Sequence, residues 1–273
     1  MNYKERQEII ANSKISFDYL KRFNRNIGIL HLIQGILMLT VGIFLEFTRD
    51  IYTFYLDYQI VSISPFQAII TPNPEIIFTV SYVGAILASF LLMSALAHFL
   101  IAYPLNTRYN ENLKKGINLY RWYEYAFSSS TMIVFIALLF GIWDFWSLLM
   151  IFALNAIMIM FGLIMEVLNQ YTEKTNWWPF VLGCIAGAIP WIVIVGYFYG
   201  ATSVDVKPPD FVYYIFYTQV ILFNSFAINM VLQYKGVGKW KDYLYGERMY
   251  IVLSLAAKTI LAWLAFGGIF QPQ

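Results

Sequence analysis

Charge is what this chain has least of. Only 12% of its 273 residues are Asp, Glu, Lys or Arg, against 60% hydrophobic, and the mean hydropathy is +0.61. Soluble domains carry about 25% charged residues, so the balance excludes a water-soluble globule and points to an integral membrane protein. Cysteine is nearly absent as well. The single thiol, Cys184, rules out an intrachain disulfide, and its place in an apolar run predicts an inert, buried side chain. There are only two histidines, His31 and His98, and no Cys/His/Asp/Glu set has metal-ligand spacing. No nucleophile and base pair or phosphate loop stands at an accessible face, so neither an enzymatic role nor a nucleic-acid partner is expected. The first 26 residues are polar and mixed in charge. They lack the order of basic, apolar and small-residue regions that marks a removable signal peptide.

What the chain does have is long apolar runs. Seven of them, near residues 27–45, 77–102, 117–140, 147–168, 179–200, 211–233 and 249–268, are long enough to span a bilayer as helices. The N-terminal tail and the connections after the second, fourth and sixth runs hold fourteen lysines and arginines, whereas the alternate connections hold two, Arg49 and Lys207. That bias places the N-terminus in the cytoplasm and the C-terminus outside the cell membrane. The expected architecture is therefore all-α: a seven-transmembrane helix bundle at 27–270, among membrane lipids, behind a polar tail at 1–26. One outer connection is long. Residues 47–75 alternate imperfectly and carry Pro65, Pro72 and Pro74, which suggests a β-hairpin over the outer face. Pro190, inside the fifth run, predicts a bend or a freed carbonyl there.

Ionisable residues inside the runs are the informative exceptions. Lys258 sits near the middle of the last one, RMYIVLSLAAKTILAWLAFG at 248–267. A charge at the bilayer centre costs roughly 2.5–3.5 kcal/mol on insertion scales, so such a group is normally paired or functional. Glu124 is its natural partner. Counted from the cytoplasmic entry of their helices, Glu124 and Lys258 lie about 11 and 14 Å deep, so the two can meet. The alternative is an ion pair that only fixes helix packing. Asn118, Arg121, Glu124 and Ser128 form one stripe on the third helix, and Ser254 lies one turn before Lys258. His31 and Gln34 enter with the first helix, while Ser94 and His98 share a face late in the second. All fall in the cytoplasmic half and suggest a hydrated inner cavity. The outer half is different, because the last helix continues TILAWLAFGGIF beyond Lys258 without an ionisable group. A proton leaving outwards has no carboxylate relay, which argues against a pump.

These residues resemble a known family. The strings HLIQ (31–34), RWYEY (121–125), LGCIAG (182–187) with PW (190–191), FNSFA (223–227), QYKGVGKW (233–240) and GERMYIVLSLAAKTILAW (246–263) are similar, in order, to heliorhodopsins. The resemblance runs from the first helix onward. It implies a rhodopsin-like bundle of inverted topology in which Lys258 binds all-trans retinal covalently through a Schiff base and Glu124 is the sole carboxylate counterion. Ser254 and Ser128 would lie near the Schiff base, and Asn155, Met158 and Phe223 would line the retinal pocket. His31 and His98 would line the cytoplasmic cavity, to which the depth of Gln34, Asn118 and Arg121 also assigns those residues. It further implies a homodimer. One departure from the family pattern falls in the fifth helix, where Val181 stands in place of an aromatic pocket residue, with Trp178 nearby. The function expected is a non-pumping light-absorbing photoreceptor that passes its signal to a cytoplasmic partner; the alternative is light-driven or light-gated proton transport.

Overall fold

The computed structural model describes residues 3–44, 46–63, 66–203 and 207–269. Pro65 and the last residue of the expected 27–270 domain lie outside them. Among the described residues, seven helices are long and apolar enough to cross a membrane. They are α2 (Phe17–Gly42), α3 (Val83–Ala102), α5 (Leu119–Leu139), α6 (Phe145–Leu168), α7 (Trp178–Thr202), α8 (Asp210–Lys235) and α9 (Tyr243–Ile269). Two short helices, α1 (Tyr3–Ala11) and α4 (Asn106–Lys114), and a 3₁₀ turn at Gly238–Lys241 gather at one end, the basic face. The strands β1 (Glu46–Ile63) and β2 (Phe66–Tyr82) form an antiparallel hairpin at the other.

Local chemistry explains where the elements start. Ser16 caps α2 by accepting from the Tyr19 amide at 3.1 Å, so the helix begins at Phe17 rather than near 27. Its added turns are amphipathic and bury Leu20 and Asn24. Asn118 caps α5 in the same way through the Arg121 amide at 3.1 Å, and Asp144 caps α6 through Ser147 at 2.7 Å. The second spanning helix starts at Val83, not 77, because residues 77–82 continue β2. α9 begins at Tyr243, well before 249, so its first turns lie inside the bundle rather than in a loop. Pro190 does not end α7, which runs on to Thr202.

Helix α2 packs on α3, α3 on α5, α5 on α6, α6 on α7, and α8 on α9, while α9 returns to α2 and α3 and closes the bundle. Gly42 and Gly84 let α2 and α3 cross almost in backbone contact, since a Cβ on either would overlap the other's main chain. Helices α7 and α8 meet instead through aromatic rings, with Phe198 stacked on Phe216 at 4.2 Å. At its root the hairpin is tied to the bundle. The Tyr52 amide donates to the Trp143 carbonyl at 2.9 Å, the Trp146 indole donates to Thr53 Oγ1 at 3.0 Å, and Phe78 packs edge-on against Phe145. Pro72 and Pro74 lie on β2, which pairs only with β1, so their missing N–H groups can face the open edge.

Candidate functional site

Lys258 is 3% exposed in the centre of the bundle. Its Nζ lies 3.3 Å from Glu124 Oε1 and donates to Ser254 Oγ at 2.7 Å, one turn back on α9. Ser94 on α3 donates to the same Glu124 oxygen at 2.5 Å. The ammonium also stands 5.0 Å from the Tyr125 ring centroid. A carboxylate, a hydroxyl and a π-face therefore surround the lysine nitrogen, and a second hydroxyl, from a third helix, holds the carboxylate. In a medium that solvates ions poorly, that arrangement keeps a cationic nitrogen stable and directional.

An apolar slot leads away from this nitrogen. Its near chamber, about 400 Å³, is lined by Tyr125, Ser129, Met132, Met158, Ile159, Phe223, Phe226, Ser254 and Ala257. The far chamber, about 570 Å³, shares five of these residues and continues between α6, α7 and α8 past Trp122, Pro179, Phe180 and Gly183. Gly162 and Gly187 make room along it, because a Cβ at either would overlap Trp122 or Met158. A long, thin, apolar ligand with an aldehyde at one end fits such a slot: the walls take a polyene and the primary amine closes it.

The residues expected at the pocket distribute as follows. Met158 and Phe223 line it. Asn155 stands behind the wall as a strut, donating to Ser129 Oγ at 2.8 Å and Ser130 Oγ at 3.0 Å. Ser129, not Ser128, faces the chamber; Ser128 is buried with its hydroxyl unpartnered. On α7 the aromatic wall is Phe180, one residue before Val181, while Val181 and Trp178 point outward and are exposed. Cys184 is exposed at the rim of the far chamber rather than buried, since an apolar run in a spanning helix has a lipid-facing side.

The residues expected to share one cavity separate into two groups. His31 stacks on His98 with centroids 5.7 Å apart, and His98 Nδ1 donates to Asn24 Oδ1 at 2.8 Å. Neither ring nitrogen of His31 has a partner. Gln34 accepts from Thr259 at 3.0 Å, tying α2 to α9 beside Lys258. Arg121 and Asn118 belong elsewhere, to a buried ion cluster nearer the basic face. Arg121 forks onto Glu166 of α6 and Glu247 of α9, and its guanidinium lies 4.0 Å from the Tyr250 ring centroid. Asn118 donates to Glu247 at 2.6 Å and, through its amide, to Glu166 at 2.9 Å. Trp122, Tyr109 and Tyr243 complete the donors, at 2.6 Å to Glu166, 3.3 Å to Glu247 and 3.1 Å to Glu166. Burial beside Glu247 pushes the Tyr109 phenol well above its ordinary range, which keeps it a donor.

Glu166 and Glu247 are the residues that sequence reasoning missed, because each lies at the end of an apolar run where a charge reads as solvated. The signal was Arg121 itself. A guanidinium inside a helix needs anions at its own depth, and both glutamates enter from the same face.

Seven spanning helices around a buried lysine and an apolar slot define a membrane protein of the rhodopsin type. The heliorhodopsin family model matches residues 20–270, and the chain belongs to that family. Family membership makes it a retinal-binding rhodopsin. No curated protein matches the chain. Among solved structures, it resembles the transmembrane domain of the Salpingoeca rosetta rhodopsin phosphodiesterase, with a TM-score of 0.63 at 15% identity. That match covers 99% of this chain and 90% of the other. At such identity the likeness is one of fold.

Proposed function

We propose that this protein is a non-pumping photoreceptor of the cell membrane. Lys258 holds all-trans retinal as a protonated Schiff base, Glu124 is the counterion, and the N-terminus faces the cytoplasm. The observation that carries this reading is the Lys258–Glu124 pair, 3.3 Å apart, with Lys258 itself in the lining of the slot. When bound, retinal supplies the visible absorption and the light-driven change of shape. The chain's own residues do the rest. Glu124 favours the protonated state of the Lys258 nitrogen, while Ser94 and Ser254 fix the directions in which that proton and its counter-charge point. Met158, Phe223 and Phe226 exclude water from the slot. His31 and His98, stacked on one another, offer ring nitrogens as proton acceptors toward the basic side.

The absence of a relay on the other side supports sensing over transport. Beyond Lys258, α9 carries no ionisable residue, and among the described residues no Asp, Glu, Lys, Arg or His is buried on that side. The basic-to-outer charge bias supports the orientation. A homodimer and a cytoplasmic signalling partner complete the proposal.

An absorption spectrum of the purified protein with all-trans retinal tests it, alongside Lys258→Ala. A visible band that needs Lys258 and bleaches with hydroxylamine under light is expected. If no such band forms, Lys258 and Glu124 are a packing ion pair. A reproducible photocurrent under voltage clamp would instead favour proton transport.

A further inference from the structure

The first 19 residues precede the stretch that matches the family model, and α1 lies within them. A nine-residue polar helix does not hold itself together in water, so docking must hold it. Two of its side chains, four residues apart on one face, are buried: Arg6 at 3% exposure and Ile10 at 5%. The Arg6 guanidinium lies 4.5 Å from the Tyr234 ring centroid, and its stem crosses Gly116, where any Cβ would press on it. Ile10 packs with Leu20, Tyr109, Leu113, Tyr243 and Leu244. At the rim, Lys241 pairs with Glu5 at 3.7 Å, and Ser13 donates to Asp242.

The floor of this seat is also the roof of the ion cluster. Tyr109 and Tyr243 belong to the same buried cluster as Ile10 and donate to Glu247 and Glu166, while Tyr234, under Arg6, donates to the Met165 carbonyl at 3.1 Å. The cluster sets two carboxylates against one guanidinium, and Arg6 brings a second guanidinium to its edge. From there two helices lead to the site. Arg121 and Glu124 are three residues apart on α5; Glu247, Ser254 and Lys258 recur at seven and four residues on α9, along one face.

We propose that α1 is a light-released latch, docked on the basic face in the dark and freed when the charge at Lys258 and Glu124 rearranges. The proposal rests on the photoreceptor reading for its trigger and on the seat alone for its docking. Movement of the proton at Lys258 changes the forces on α5 and α9. Those helices carry Arg121 and Glu247, and the tyrosines that bind the cluster are the surface on which Arg6 and Ile10 sit. The Lys241–Glu5 pair at its rim is exposed, and such a pair contributes little, so a modest shift of the seat is enough to free the latch. Residues 12–16, between α1 and the Ser16 cap, are the hinge. Release uncovers the tyrosine-lined recess and swings out Glu5, Arg6 and Glu8 as a mobile charged segment.

Hydrogen exchange of the full-length protein in nanodiscs, in the dark and under continuous light, tests both parts. In the dark, the amides of residues 3–11 should be protected in the native protein, and Ile10→Ser should speed their exchange by about tenfold without changing the absorption band. Light should speed exchange in the native protein to a similar degree and add little in the variant. Arg6→Ala and Asp242→Ala, on opposite sides of the contact, should each reproduce part of the effect. Equal dark exchange in native protein and all three variants would overturn the docking. Light-insensitive exchange in a protein that absorbs and bleaches normally would overturn the release. If no pigment forms, the trigger falls with the photoreceptor reading, while the dark comparison still decides the docking.

Discussion

The two halves of the bundle are built from opposite materials. Between Lys258 and the hairpin the buried side chains are mainly hydrocarbon and aromatic, as in the Phe140, Phe198 and Phe216 cluster, and the polar ones among the described residues, such as Ser130, Asn155 and Gln219, are uncharged. Between Lys258 and α1 they include Arg121, Glu166 and Glu247, two histidines, and asparagines and tyrosines joined by hydrogen bonds. The first half is held by dispersion and shape, which tolerate no charge and carry no proton. The second is held by ions, each of which needs its partner. Lys258 stands at the boundary between them.

Breaking the ionic half should have the largest effect. Arg121→Ala leaves Glu166 and Glu247 buried without a counter-charge, and should cost about 3–5 kcal/mol of stability. Thermal unfolding would show it, and Glu166→Gln with Glu247→Gln in the same chain should recover part of the loss. Leu261→Ala, in the apolar half, should cost about 2–5 kcal/mol through a cavity alone. Its loss should be unchanged between low and high pH, in contrast to that of Arg121→Ala.

At the boundary the expected effects are spectral. Glu124→Gln removes the anion that favours the protonated nitrogen, so the visible band should be lost at lower pH than in the native protein. Near neutral pH the variant should be blue-shifted; an unchanged pH titration would remove Glu124 from the counterion role. Ser94→Ala should be milder, since it deletes one hydrogen bond to a carboxylate that keeps its lysine, worth about 0.5–1.5 kcal/mol. A small shift of the band, with the pigment intact, is the measurable outcome.

The legible parts of this architecture are those set by a strong local penalty. Spans follow from the cost of burying backbone and charge in lipid, so the seven runs and the singular position of Lys258 were open to reading from composition and periodicity. Glu124 followed because a buried cation calls for an anion at equal depth. Glu166 and Glu247 did not, because a carboxylate at a helix end is usually solvated. Here both are 1% exposed, under Tyr109 of α4, Tyr243 of α9 and the Arg121 guanidinium. Whether Ser128 or Ser129 faced the slot was also beyond the sequence, since adjacent residues differ by about 100° around a helix and no residue type distinguishes them.

Composition and hydrophobic period thus determined the membrane class, the seven spans and the one lysine that must be paired, because each rests on transfer energies belonging to single residues. The tertiary structure alone decided which carboxylates share Arg121, which serine and which aromatic meet the slot, and that the N-terminal residues fold back as a helix. Those outcomes depend on how helices rotate and cross, and that is fixed by contacts between different helices, some of them, as between Arg121 and Glu247, more than a hundred positions apart in the chain.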